Sequence, residues 1–228
     1  MKNTKKEKND LKKIIIIGGT GNGTVVESVI IDCIKQGQNL CIVGYLNDKE
    51  REINKIPVLG KIKRENIIKY RDCYFVYALS NIKLAEQRYQ LLKNLNIPKK
   101  NLISILHPSS KVAYTSKLKP GVVLMPNVVI SSNSIIHSHT QLYANSFLGH
   151  NSVLKEMVFV ANNASIGGRV KVEKGSHIGS NSTLIERINI GKFSIVGLGS
   201  TVLRDVNSRE IVAGNPGIVI RKLKKIKS

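Results

Sequence analysis

The sequence predicts two modules in one chain, an α/β Rossmann-like domain followed by an all-β parallel β-helix, and two observations predict it. The first is a ladder in the second half of the 228-residue chain: sixteen consecutive six-residue steps, from Val112 to Val202, each open on Val, Leu or Ile. Four residues into each step stands Ser, Thr, Ala, Val or Ile, as at Ser116, Val122, Thr140, Ser152, Ala164, Ser182 and Ser200. Neither the 3.6-residue stripe of a helix nor plain strand alternation gives that period. Three hexads close one triangular coil, so the aliphatic side chain fills the axis and the small or branched one packs near the bend. About five coils follow, each resting only on its neighbours, and their stacking makes one continuous core.

The second observation is a strand, glycine loop and helix near the start. Ile14 to Ile17 is a short buried strand, Gly18-Gly-Thr-Gly-Asn-Gly23 is the loop, and Val25 to Ile34 has helical spacing. Glycines let backbone approach a ligand, and the following helix offers free amides to an anion. The spacing departs from the dinucleotide fingerprint, because Thr24 stands where a third glycine or alanine belongs. Two further strands are expected, Leu40 to Tyr45, leading to Asn47-Asp48, and Cys73 to Leu79, leading to Ser80-Asn81. All three run into small polar residues, the pattern of a parallel sheet with ligands at its carboxyl edge. Ile82 to Leu95 reads as an amphipathic helix and Leu102 to Leu106 as a short strand before His107-Pro108. The expected organisation is a basic, disordered tail over 1–12, a Rossmann-like ligand-binding domain suited to a sugar nucleotide over 13–106, the β-helix over 107–210 and a basic segment over 211–228.

The net charge of +21 suits a polyanion such as the diphosphate of an activated sugar or the phosphates of coenzyme A, although much of it lies in solvated lysines at the two ends. Few aromatic residues and no recognition motif accompany the basic runs, so nucleic acid is not an expected partner. No apolar run is long enough to span a membrane, and Ile14 to Ile17 is too short for a secretory core, so the chain reads as cytoplasmic. Cys33, Cys41 and Cys73 are odd in number and lack metal-ligand spacing; buried free thiols and no metal are expected.

A short Rossmann-like domain with a Gly-x-x-Gly-x-Gly loop, joined through His-Pro to hexad repeats, resembles the sialic acid O-acetyltransferase (NeuD) family, which includes bacterial N-acetyltransferases of nucleotide-linked 4-amino sugars. The closing Val212-Ala-Gly-Asn-Pro-Gly217-Ile is similar to the Val-x-Gly-x-Pro-Ala-Lys ending of hexapeptide acyltransferases. The resemblance implies a left-handed β-helix and a homotrimer with acetyl-CoA in the groove between prisms. It also implies acetyl transfer to the amine of a nucleotide-linked 4-amino-4,6-dideoxy sugar for surface-glycan synthesis.

Acetyl transfer to an amine needs a proton acceptor, a donor to the oxyanion and alignment of amine with thioester. Histidine is the natural base, and the chain offers His107, His137, His139, His150 and His177. By resemblance the base is His150, at the end of Tyr143-Ala-Asn-Ser-Phe-Leu-Gly-His150, with His137 and His139 as the alternative pair; His107 is structural and His177 lies along the cofactor groove or at the surface. Asn151 replaces the family's carboxylate after the base, which weakens the base unless another acid such as Glu156 substitutes. The resemblance further assigns the Gly168 amide to the thioester oxygen, and Phe159 (where some relatives carry a second histidine), Ser180, Leu198 and Arg221 to the cofactor. Thr20, Gly21, Asn22, Asn47, Asp48, Ser80 and Asn81 fall to the sugar nucleotide, with Asp48 on the base edge. The competing readings are O-acetylation of a sialic-acid-like sugar, transfer of another acyl group, and a catalytically silent trimeric scaffold or carbohydrate-binding module.

Overall fold

A computed structural model describes residues 11–224. Residues 1–10 and 225–228, which hold most of the expected basic tail and the last lysines, lie outside the described residues.

The amino-terminal domain is one sheet with helices against it. Its elements are β1 (Lys12–Ile17), α1 (Asn22–Lys35), β2 (Leu40–Leu46), β3 (Glu52–Ile53), β4 (Ile56–Gly60), α2 (Arg64–Lys69), β5 (Tyr74–Tyr77) and α3 (Ala85–Leu95). The sheet order is β3-β4-β2-β1-β5, parallel except for the β3–β4 pair. Because β1, β2 and β5 run parallel, the segments after them meet at one edge. The four isoleucines of β1 are fully buried, as a central strand covered on both faces requires. Neither the β3–β4 hairpin nor α2 is expected from the sequence; strands of two and five residues and a six-residue helix are too short to show a period.

The second module is the expected prism. Seventeen two-residue strands, β6 (Ile105–Leu106) to β22 (Thr201–Val202), stack into three parallel sheets, with residues eighteen apart in register, as Phe147 with Ser165 and Leu148 with Ile166. The face carrying Leu124, Leu142, Val160, Ile178 and Val196 is called face I here, that of Leu148 and Ile166 face II, and that of Leu154 and Val172 face III. The aliphatic ladder is buried from Leu124 to Val202, each side chain contributing about 1.5–3 kcal/mol by removal from water. The small residue of each step lies just after the bend, where buried serines bond the neighbouring coil: Ser134 Oγ donates to Gly149 O (2.9 Å) and Ser152 Oγ to Gly167 O (3.0 Å).

The bends obey a rule the aliphatic ladder does not reveal. Every sixth residue from Gly121 to Gly199 has φ between about 55° and 85°. Asn or Gly fills most of these places, because they tolerate the left-handed region that other side chains resist by about 1–2 kcal/mol. Arg169 and Arg187 take the same conformation on the II–III edge. The III–I edge carries His139, Met157 and Phe193, all with positive φ, and there the amino-terminal domain docks. Tyr77 meets His139 edge-on at 5.9 Å and Tyr89 meets Phe193 at 5.8 Å, while Met157 packs on the core around Phe75 and Leu92. Packing holds these three in a conformation they would not choose alone.

The same domain covers face I. Val123 and Gln141, which point outward from the prism, are nonetheless buried. Of the expected Leu102 to Leu106 strand only Ile105–Leu106 forms, and it pairs with Val123–Leu124 in the prism, while Leu102 bridges to Phe75 in the first domain. His107 ties the junction, with Nδ1 2.8 Å from Ser109 Oγ and Nε2 3.6 Å from Asp32 Oδ2 on α1. At the far end β23 (Glu210–Ala213) extends face I and β24 (Ile218–Lys222) pairs with it antiparallel, so much of the basic closing segment is sheet. The thiols are free; Cys33 and Cys73 are buried and Cys41 is half-buried.

Candidate functional site

Two groups of candidate residues assemble on opposite sides of the prism. The first is at the II–III edge. His150 follows Leu148 and Gly149 into the bend, and one coil on, eighteen residues later, Gly168 occupies the same place. The imidazole lies over this glycine: a Cβ built on Gly168 would stand 2.8 Å from His150 Nε2. The bare backbone therefore makes room for the ring. The Gly168 N–H makes no hydrogen bond among the described residues, so a proton acceptor and a free amide donor lie side by side. Asn151 Nδ2 is 3.4 Å from His150 Nδ1. Asn151 also holds the left-handed bend position (φ 58°), the place that Asn fills at 127, 133, 145, 163 and 181. Its identity answers a backbone demand before any chemical one.

The expected substitutes lie elsewhere. Glu156 is six residues past His150 and thus on the next edge, III–I, where it accepts from Tyr89 Oη at 3.0 Å; it does not stand in for the missing carboxylate beside His150. His139 is on that same edge against Tyr77, and burial lowers its pKa to about 4. His177 is half-buried on face I, away from the II–III edge. It stacks on Phe159 (4.9 Å, 6° between planes), Phe159 lies against Tyr143 (4.6 Å), and burial lowers the His177 pKa to about 4 as well. This stack lies on face I and its margin, and Phe159 and His177 line a small cavity shared with Ser80, Asn81, Arg88 and His139, so Phe159 and His150 are not neighbours within one protomer. Ser180 and Leu198 stack at the I–II edge, where Gly199 N–H donates to Ser180 O (2.8 Å) and Leu198 is 81% exposed. Arg221 is exposed on β24.

The second group surrounds a cleft of about 370 Å³ at the carboxyl edge of the sheet, lined by Thr20, Asn22, Asn47, Asp48, Lys49, Glu50, Ile62, Ser80 and Arg88 among others. The candidate residues Thr20, Asn22, Asn47, Asp48 and Ser80 do meet there; Gly21 supplies the turn into α1 at φ 94°, and Asn81 faces the neighbouring cavity. Several have other work. Asn22 Nδ2 donates to Ala78 O (2.8 Å) and Gln141 Oε1 (3.0 Å), and its Oδ1 accepts from Tyr143 Oη, so it joins the two modules. Asn47 Oδ1 accepts from Lys49 N–H (2.7 Å) and Glu50 N–H (2.8 Å). Asn81 Oδ1 accepts from Lys83 N–H (3.0 Å), opening a short helical turn. Asp48 Oδ1 accepts from Ile62 N–H (2.9 Å), which leaves its second oxygen for a ligand. Sequence reasoning misses Glu50 and Arg88; both belong to elements whose placement is tertiary, and no motif marks either. Among the described residues no cluster of side chains could hold a metal ion, and no helix is long and apolar enough to cross a membrane.

The fold has counterparts among known proteins. Residues 13–92 match the family described as the PglD N-terminal domain. No curated protein matches the sequence. Among solved structures, the acetyltransferase domain of PglB from Neisseria gonorrhoeae, in complex with acetyl coenzyme A, is 20% identical over 92% of this chain and 100% of that one, with a TM-score of 0.81. PerB from Caulobacter crescentus, in complex with CoA and GDP-perosamine, is 22% identical over 92% and 98%, with a TM-score of 0.78. WeeI from Acinetobacter baumannii is 19% identical over 92% and 100%, with a TM-score of 0.64. Residues 13–92 thus match the PglD N-terminal domain, and the described residues have the fold of the PglB acetyltransferase domain and of PerB, an α/β domain followed by a left-handed parallel β-helix.

Proposed function

We propose that the protein transfers an acetyl group from acetyl-CoA to the amine of a nucleotide-linked amino sugar, at sites formed between subunits of a homotrimer. The observation that carries the reading is the separation of its two halves. His150 and Gly168 lie on the II–III edge, whereas the nucleotide-sized cleft lies on the side of face I, across the prism. A ligand seated in the cleft cannot reach the His150 of its own chain, but the His150 of a neighbour packed alongside can meet it; closed three-fold symmetry gives three equal sites. The PglB and PerB structures, of the same fold, hold acetyl coenzyme A in one case and CoA with GDP-perosamine in the other, which supports the substrate class.

In the proposed reaction the unprotonated amine attacks the acetyl carbon, the new N–C bond forms as the C–S bond breaks, and the amine proton passes to His150 Nε2 and on to the departing thiolate. The free Gly168 N–H donates to the carbonyl oxygen as negative charge develops on it. With the Asn151 amide turned so that its oxygen accepts from Nδ1–H, Nε2 keeps its lone pair for the amine. No covalent acyl-enzyme is formed. A 4-amino-4,6-dideoxy sugar on UDP or GDP is the acceptor class we assign, and an intracellular setting with acetyl-CoA fits it.

Thiol release from acetyl-CoA, measured with UDP- and GDP-linked 4-amino sugars, tests the activity: His150→Ala should abolish turnover while His137→Ala retains it. Subunit mixing tests the shared site. When His150→Ala and Asp48→Ala chains, each inactive, are denatured and refolded together in equal amounts, about a quarter of the wild-type activity should return, because one site in four then combines an intact base with an intact cleft. A site contained within one chain would recover none.

A further inference from the structure

Resting on the nucleotide-sugar reading above, we infer that the cleft binds its nucleoside diphosphate with the phosphates on Arg88 and not on the amides of the glycine loop. A loop leading into a helix would ordinarily take the phosphates on its amides. Here that place is filled from within. Glu50 accepts from Thr20 N–H (3.2 Å) and from Thr20 Oγ–H, and its carboxylate lies over Gly19, where a built Cβ would stand 2.5 Å from Glu50 Oε2. The carboxylate is held there by Asn47, whose side chain bonds the Glu50 and Lys49 amides and, through Nδ2, Gly18 O (2.9 Å). A phosphate on the same amides would meet a fixed negative charge.

The opposite wall has the reverse character. Arg88, on α3, lines the cleft, and its guanidinium makes no hydrogen bond or ion pair among the described residues. The acids nearest it along α3 and on the prism are committed elsewhere: Glu86 is bound by Arg209 (2.6 Å) and Glu156 by Tyr89 (3.0 Å). Five N–H donors in a planar fork, unneutralised and beside the Ser80 hydroxyl, match a diphosphate. The cleft is therefore polarised. Asp48, Lys49 and Glu50 give one end a net negative charge, suited to the N–H and O–H donors of base and ribose, and Arg88 gives the other end a positive one. That polarity fixes the direction of the bound nucleotide, with the sugar leaving at the Arg88 side, where the cleft shares Leu79, Ser80 and Arg88 with the smaller cavity.

The experiment is calorimetric titration of the full chain with UDP, GDP, uridine and guanosine. For whichever nucleotide the wild type binds, Arg88→Ala should weaken the diphosphate by about 10- to 100-fold, the scale of a lost charged pair of hydrogen bonds, and the nucleoside by less than about twofold. Arg88→Lys should fall between, since it keeps the charge and loses the fork. Glu50→Gln should leave the preference for diphosphate over nucleoside within about threefold of wild type, since the phosphates lie elsewhere. Diphosphate affinity unchanged in Arg88→Ala, equal losses for nucleoside and diphosphate, or a tenfold gain in diphosphate affinity in Glu50→Gln would overturn the inference and leave the functional reading standing. A wild-type protein that binds neither UDP nor GDP would refute the functional reading, and the inference with it.

Discussion

Gly168→Ala separates the chemistry of the II–III edge from its architecture. The backbone at 168 is outside the left-handed region, so alanine adopts it without strain, and the three atoms nearest the added Cβ all belong to the imidazole: His150 Nε2 at 2.8 Å and Cδ2 and Cε1 at 3.1 Å. Ordinary carbon contacts lie near 3.5–4 Å, so the ring must retreat by roughly 1 Å or turn off its rotamer, at about 0.5–1.5 kcal/mol. The cost to folding is small because His150 is partly exposed and can move. The cost to catalysis is larger. A base displaced by about 1 Å loses roughly 10²-fold in rate, so kcat should fall by about that factor while the melting temperature stays within a few degrees of wild type. Gly149→Ala is the contrast. Its Cβ would stand 2.5 Å from Gly167 C and 2.6 Å from Gly168 N, both backbone, so the coils themselves must part and stability should fall with activity. In a His150→Ala background Gly168→Ala should cost nothing further, since no ring remains to be displaced. Steady-state kinetics and thermal unfolding on the four variants decide the matter. Gly168→Ala with more than half the wild-type kcat, or an added loss in the double variant, would refute the assignment of the Gly168 contact to catalysis.

Other outcomes follow from the same geometry. Asn151→Asp keeps a residue that tolerates φ 58° and sets a carboxylate beside Nδ1; the acid limb of the kcat/KM profile should move up by about one pH unit, and an unmoved limb would show that residue 151 does not face the working imidazole. His139 and His177 have pKa values lowered to about 4 by burial, so from pH 6.5 down to about 4 the unfolded chain binds protons that the folded one refuses, and stability falls with falling pH across that window. Each ring contributes at most about 3 kcal/mol to that loss, trimmed by the edge it exposes; urea unfolding at pH 7.5, 5.5 and 4.5 should show a steep decline that His177→Phe makes shallower, and an unaltered slope would count against it. Ile166→Ala, on the prism axis, should cost about 2–5 kcal/mol by the same measurement, and a loss below about 1 kcal/mol would mean that the axis repacks.

The prism was legible from residue spacing alone. The axis residues, the buried serines and the pairing of His150 with Gly168 all follow from counting in sixes and eighteens, and so does the placing of Glu156 one edge away, since six residues always advance the chain to the next edge. The left-handed bend positions were equally open to counting, because Asn and Gly recur there, and they explain Asn151 without appeal to chemistry. Spacing suffices for these features because each coil contacts only its neighbours, so local repetition sets the whole module.

What no count could supply is how a non-repeating domain settles on a repeating one. His139, Met157 and Phe193 break the Asn-Gly pattern of the bends, and only the docking of Tyr77 and Tyr89 gives the reason. Asn22 reads as a ligand-loop residue and serves as a joint to Gln141 and Tyr143; Glu50 closes the loop that the sequence leaves open to phosphate; Arg88, on a helix with no motif, brings a cation to the cleft wall. The amino-acid order thus determined the coil and the edge that sets His150 over Gly168, through contacts between residues at fixed short separations. The tertiary structure decided the cleft at the sheet's carboxyl edge and its polarity, because those contacts join residues dozens of positions apart whose meeting depends on how whole elements pack.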